Sequence, residues 1–274
     1  MLLFTAVYLV AVRTVPGQRF EDAVLSAAEA RAGTVNDERA ERVLSLVTTA
    51  SVAVVAAAVL AIGFARRQWR LGVLAAAVIL ATVIVTQIMQ WALPRPILLH
   101  RGYRRDDQSF PSGHTATAMA MMCAVVLVVP LRLRAAVLGA ASLFAGGIAV
   151  ATVTASWHRP SDTLGGELIA LAVCCAAVAW LRPRGHGPAR ALNVLGTVYA
   201  AVLVTATALV FAVGPLDAQP GADAALGSAL LAGRAIAVAG AAATALALLT
   251  VLGTGEPQNR ARMAARRGPQ LRYR

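Results

Sequence analysis

The sequence predicts an all-α fold, a polytopic membrane bundle of about eight transmembrane helices. Three observations lead there. First, 58% of the 274 residues are hydrophobic and the mean hydropathy is +0.68, which is too apolar for an ordinary water-soluble domain. Second, the apolar residues gather in runs near the ~20 residues that a helix needs to cross a bilayer. Third, those runs are continuous rather than alternating, which favours helices over a barrel.

In chain order the expected spans are 2–15, 43–65, 71–93, 113–130, 135–155, 163–181, 190–213 and 228–252, all rich in Ala, Val and Leu, with the first one short. That first run lacks a convincing small-residue cleavage site, so no cleavable signal peptide is expected. Between the first two spans, Phe20, Val24, Leu25 and Ala28 recur at helical spacing, which fits a short interfacial helix within a solvated connector. Asn36, followed by Asp37 and Glu38, reads as a cap leading toward the second span. Cys123, Cys174 and Cys175 fall inside apolar runs, where thiols act as small core residues, and no disulfide framework is expected.

The net charge is +12 and every basic residue is Arg. In a soluble protein this balance would point to nucleic acid. Here the arginines cluster in short loops, so membrane topology accounts for them and no nucleic-acid partner is expected. Arg66, Arg67 and Arg70, then Arg132 and Arg134, then Arg182, Arg184 and Arg190, and finally the tail after Gly255, mark alternate loops as cytoplasmic. Both termini then face inward, and 16–42, 94–112, 156–162 and 214–227 face outward. The outward loop 94–112 nonetheless holds Arg95, Arg101, Arg104 and Arg105. An anionic ligand would account for arginines kept on that side.

Three outward segments contain the candidate chemistry. In Ser109-Phe110-Pro111-Ser112-Gly113-His114-Thr115, Ser112 reads as a helix N-cap and His114 lies in the first turn. The first N–H groups of a helix have no internal partner and sit at the positive end of its dipole, so the segment is either a plain turn and cap or an anion site. In Ser156-Trp157-His158-Arg159-Pro160-Ser161-Asp162, Pro160 suits the first helical position. Asp162 can then reach one ring nitrogen of His158 and leave the other as nucleophile or base; the plainer reading is a His–Asp pair that caps the helix. In Leu93-Pro94-Arg95-Pro96, Arg95 is either an interfacial arginine or a planar fork for phosphate oxygens. Two histidines, a carboxylate, an arginine and two helix starts at one membrane face match the needs of phosphoryl transfer through a phosphohistidine. His186 lies in a cytoplasmic loop and is expected to be inert.

This pattern resembles the type-2 phosphatidic acid phosphatase (PAP2) family of integral-membrane lipid phosphatases, whose motifs are Lys-x6-Arg-Pro, Pro-Ser-Gly-His and Ser-Arg-x5-His-x3-Asp. The second is intact as Pro111-Ser112-Gly113-His114, the first keeps Arg95-Pro96, and the third keeps His158 and Asp162. Ile88 stands at the Lys position of the first motif, and Ala151-Thr152 stand at the Ser-Arg of the third. The resemblance spans roughly 1–181, with the motifs within 88–162. It implies a six-helix PAP2-like core with His158 as nucleophile, Asp162 as its orienting partner and His114 as general acid. It also implies phosphate binding by Arg95, Ser112 and the Gly113 N–H, with no metal and no cofactor. Arg159, next to the nucleophile, is the first candidate to replace the missing cations, although it could equally face headgroups; Arg101, Arg104, Arg105, Gln87 and Gln90 are further candidates.

The expected function is therefore metal-independent dephosphorylation of a lipid phosphate or diphosphate at the outer face of a bacterial plasma membrane. Phosphatidate, phosphatidylglycerophosphate and polyprenyl diphosphate all fit as substrates, and nothing selects among them or fixes an oligomeric state. Transfer of the phosphoryl group to an alcohol, or a non-catalytic lipid-binding or transport role, are the alternatives. The expected organisation is a catalytic core over 1–181, two additional transmembrane helices over 182–252, and a basic disordered cytoplasmic tail over 253–274.

Overall fold

A computed structural model describes residues 2–99, 109–181 and 222–253. Every regular element among them is helical. Helix α1 (Leu2–Val7) continues as a π-helical turn over Tyr8–Val12. It is followed by α2 (Val15–Glu29), α3 (Val35–Leu44), α4 (Thr49–Ala65), α5 (Trp69–Ala92), α6 (Gly113–Val128), α7 (Leu131–Thr154), α8 (Pro160–Leu181) and α9 (Ala222–Gly253). The chain folds as an all-α polytopic bundle.

Four of these helices are long and apolar enough to cross a membrane: α5, α7, α8 and the Gly227–Leu248 part of α9. The pair α3 and α4 makes a fifth if its 49° bend is counted within one span. Leu2–Val12 and α6 are apolar but shorter. The expected span 190–213 lies outside the described residues, as do His100, Arg101, Arg104, Arg105, His186 and the tail after Gly253.

Two local details differ from the sequence reading. The run 43–65 is not one straight helix. Thr48 Oγ1 accepts from Ser51 N at 3.1 Å while Ser51 Oγ accepts from Thr48 N at 2.9 Å, and this reciprocal box starts a new helix at Thr49. The cap before α3 is Thr34, whose Oγ1 accepts from Asp37 N at 3.4 Å, and Asn36 lies inside the first turn. Asp37 and Glu38 keep the first-turn position in which acids favour a helix start.

Helix α6 is the axis of the bundle. It packs on α4, α5, α7 and α8, and nearly all of its side chains are buried. Its small Ala and Thr residues let four neighbours approach closely, as membrane helices require in the absence of a hydrophobic driving force between them, and its methionines fill the gaps. Gly165 and Gly166 bring α8 onto the start of α6. A Cβ on Gly166 would lie 2.6 Å from the Ser112 carbonyl oxygen, and one on Gly165 would lie 2.8 Å from the Phe110 ring. At the opposite end of α6 the Arg66 guanidinium donates to the Val128 carbonyl, a cation on a helix C-terminus. Helix α9 rests on α2, α7 and α8.

The long helices expose apolar side chains. Leu80, Ile84, Leu143, Leu231 and Leu246 are exposed, and Trp69 and Trp91 stand near the two ends of α5, where interfacial aromatics belong. Within α8 one acid, Glu167, is fully buried against Gly240 of α9, and neither carboxyl oxygen has a hydrogen-bond partner among the described residues.

Candidate active site

Asp162, in the first turn of α8, is fully buried and is the hub of the site. Its Oδ1 accepts from Arg95 Nη2 at 2.8 Å, and its Oδ2 accepts from Ser109 Oγ at 2.6 Å and from the Arg159 backbone N–H at 3.0 Å. Its own carbonyl accepts from the Ser112 N–H at 2.8 Å, which ties the start of α8 to the start of α6. One residue thus joins all three loops that the sequence singles out.

His158 stands in the tight turn between α7 and α8. Ser156 takes a left-handed φ of +54°, and the N–H groups of Trp157 and His158 both donate to the Thr152 carbonyl, at 3.0 and 3.1 Å. The turn points Nδ1 of His158 at Asp162 Oδ2 across 3.5 Å. That is an ion-pair separation, longer than a good hydrogen bond, and the histidine side chain is 13% exposed. Nε2 is the nitrogen left over for chemistry.

His114, the second residue of α6, lies edge-on to the Trp157 ring with centroids 5.3 Å apart, which sets it beside the His158 turn. Ser112 is the N-cap of α6: its buried Oγ accepts from Thr115 N at 3.3 Å. A Cβ on Gly113 would meet nothing nearer than Gln90 Nε2 at 4.0 Å, so the first peptide of α6 borders open space on that side. Gln90 itself donates to the Pro111 carbonyl at 2.7 Å.

The two arginines are held by carboxylates of α2. Arg95 Nη1 donates to Glu21 Oε2 at 2.7 Å, and its side chain is 7% exposed. Burial acts against its charge, but Glu21 and then Asp162 outweigh that and hold its pKa above the ordinary value. Arg159 is buried, and its Nη2 donates to Asp22 Oδ1 at 3.4 Å. Burial raises the pKa of the Asp22 carboxyl while Arg159 pulls it down and Glu21 pushes it up.

The N-terminal helices brace the same corner. Tyr8 Oη donates to the Pro94 carbonyl at 2.7 Å. Gln18 Nε2 donates to the Pro96 carbonyl at 2.6 Å, and Gln18 Oε1 accepts from Leu98 N at 3.1 Å. Phe4 and Tyr8 stack on Phe110 with centroids 5.3 and 5.4 Å away.

Site neighbours to which the sequence reading assigned no chemistry are Glu21, Asp22, Gln18 and Ser109. A signal for Glu21 exists: it precedes Val24, Leu25 and Ala28 by three, four and seven residues, so it shares their buried stripe on α2. At the two positions where the family motifs have basic groups, Ile88 is half-exposed on α5, and Thr152 is buried with Oγ1 donating to the Ala149 carbonyl at 2.8 Å.

Chemically, a histidine with one nitrogen turned to a buried carboxylate and the other left over, a second histidine across a tryptophan, and a helix start can perform nucleophilic displacement at an anionic centre. Residues 69–186, from α5 through α8, match the family model described as PAP2 superfamily, a superfamily whose members are usually phosphatases. No curated protein and no solved structure matches the chain.

Proposed function

From the premise that residues 69–186 make this chain a member of the PAP2 superfamily, a multi-pass membrane protein, we propose that it removes phosphate from a lipid phosphate or diphosphate without a metal, through a phosphohistidine. The observation that supports it most is the His158 Nδ1–Asp162 Oδ2 approach of 3.5 Å at the mouth of two helix starts. His158 Nε2 attacks phosphorus with its lone pair, and the bond from phosphorus to the lipid oxygen breaks. That oxygen takes a proton from His114. A water then gives a proton back to His114 and attacks phosphorus, the P–N bond breaks, and inorganic phosphate leaves with both histidines restored.

Asp162 stabilises the charge that His158 acquires in the first step. Arg95 holds Asp162 in place, with its Nη1 and Nη2 taken by Glu21 and Asp162. Gly113 and Ser112 offer the start of α6, whose first N–H groups have no partner within the helix. Arg159 binds the phosphate by leaving Asp22; its 3.4 Å bond is long, and its buried Nε has no partner among the described residues. In this reading residues 1–181 are the catalytic core, 182–252 add two helices, and 253–274 form a basic cytoplasmic tail. The site faces outward at the bilayer interface, so the acyl or prenyl chain stays in the lipid. Phosphatidate, phosphatidylglycerophosphate and polyprenyl diphosphate are the candidate substrates.

The test is phosphate release by the detergent-purified protein with chelator present, on those three lipids. Release in wild type and loss of about 10³-fold or more in His158→Ala are expected, as for removal of a nucleophile that acts with its partners as a unit. A second reading, a non-catalytic lipid binder, is favoured by the pairing of both arginines with carboxylates. It predicts no release above the His158→Ala level on any lipid.

A further inference from the structure

Resting on the phosphohistidine reading, we infer that Glu21 of α2 is a positioning residue for the same reaction: it neutralises Arg95 so that the charge of Asp162 bears on His158. Four side chains from α2, the α5 exit and the start of α8 stand in line. Glu21 Oε2 accepts from Arg95 Nη1 at 2.7 Å, Arg95 Nη2 donates to Asp162 Oδ1 at 2.8 Å, and Asp162 Oδ2 faces His158 Nδ1 at 3.5 Å. Glu21 and Asp162 are 1% and 0% exposed, so solvent screens little of what they do to each other.

The electrostatic argument is direct. Arg95 and the His158 imidazolium compete for one carboxylate. Alone against Asp162, the guanidinium would cancel its charge and leave the imidazole facing a neutral pair. Glu21 takes up the charge of Arg95, and the trio of Glu21, Arg95 and Asp162 keeps one net negative charge, directed at His158. Among the described residues, the other charged or titratable groups that face the line are Arg159, whose backbone N–H is on Asp162; Asp22, which pairs with Arg159; and His114 across Trp157.

Glu21 is also fixed to the helix that it serves. Its Oε1 accepts from the Ser161 N–H at 3.1 Å, one residue before Asp162 and 140 positions away in the chain. This contact sets the distance from α2 to α8 and with it the approach of Arg95. Glu21 lies outside residues 69–186, so the matched segment alone lacks this part of its own charge balance.

The experiment is a pH titration of His158 in the full chain, labelled with ring-¹⁵N histidine in micelles and assigned by its loss in His158→Ala, beside initial rates of phosphate release. Glu21→Gln keeps the shape and removes the charge. The expected result is a His158 midpoint lowered by about half a pH unit or more and kcat lowered about tenfold, with KM within about twofold of wild type, because Glu21 touches no substrate atom. A merely structural role would lower the melting temperature and leave the midpoint where it is. An unchanged midpoint in folded Glu21→Gln overturns the inference. Should Glu21→Gln fail to fold, Glu21→Asp, which keeps the charge and withdraws it by one methylene, is titrated instead: a smaller downward shift is expected, and no shift overturns the inference. Wild type that releases no phosphate from any lipid overturns the phosphatase reading alone, since the titration still decides the role of Glu21.

Discussion

Two carboxyl oxygens of Asp162 accept from three donors, face His158 as well, and lie beyond the reach of water. An amide in that place offers one acceptor oxygen where two are in use. Asp162→Asn is expected to cut phosphate release by about 10³-fold or more while leaving lipid binding measurable, because the partner that steadies the imidazolium is gone. Initial rates and a lipid-binding assay separate the two effects. Arg159→Ala is expected to raise KM about tenfold with kcat within a few-fold, as for loss of a charge-assisted contact to the ground-state phosphate; a kcat loss at constant KM would place that contact in the transition state alone, and rates within about twofold of wild type would remove Arg159 from the site. The placement of His114, His158 and Asp162 beside one another was legible in the sequence, because short spacings near two helix starts specify it. The burial of Glu21 could be read from its place on the stripe of α2, but its partners could not, because they depend on a contact between helices 140 positions apart that no local spacing encodes.

Among the elements, the seam between α6 and α8 is set by glycine. A methyl group on Gly166 would press on the Ser112 carbonyl and on the backbone of Ala116, neither of which can rotate away. Gly166→Ala is expected to destabilise by about 1–3 kcal/mol, as overpacking does. Gly147→Ala on α7 has nothing within 4 Å and is expected to be neutral or to stabilise by up to about 1 kcal/mol through helix propensity. Thermal melts in detergent distinguish the pair. The Glu167 carboxyl, buried in α8 without a partner among the described residues, costs more than an apolar chain of similar volume would. Glu167→Met is therefore expected to raise the melting midpoint by a few degrees; a loss of activity in a protein that melts higher would assign Glu167 a working role. Among the described residues the long helices were legible because apolar runs persist for whole spans. The break at 45–48 was not, because a Thr–Ser box interrupts the run without changing its hydropathy.

At the scale of the molecule, arginine distribution sets the proposed orientation, and it is open to a direct check. In a chain with Cys123, Cys174 and Cys175 replaced by Ala, the exposed positions Arg39 and Gln68 are substituted by Cys one at a time. An impermeant maleimide is expected to label Arg39→Cys in intact cells and Gln68→Cys only after permeabilisation; the reverse pattern would put the site on the cytoplasmic face. The all-α bundle was readable from composition and from the length and continuity of the apolar runs, whereas the intimacy of α2 with α8 was not, since a mixed-charge helix beside apolar spans looks like a connector until its partners are known.

That intimacy also has a tempo. The contacts Glu21–Ser161 and Asp22–Arg159 join positions 140 and 137 residues apart. At ribosomal speeds of about 5–20 residues per second, α2 emerges roughly 7–30 s before the turn that receives it. Glu21 gains Arg95 after 74 residues, but Asp22 has no partner until Arg159 is made, and α5, α6 and α7 must enter the membrane around a corner that is still unclosed. The site is thus closed late, by a helix that was made early.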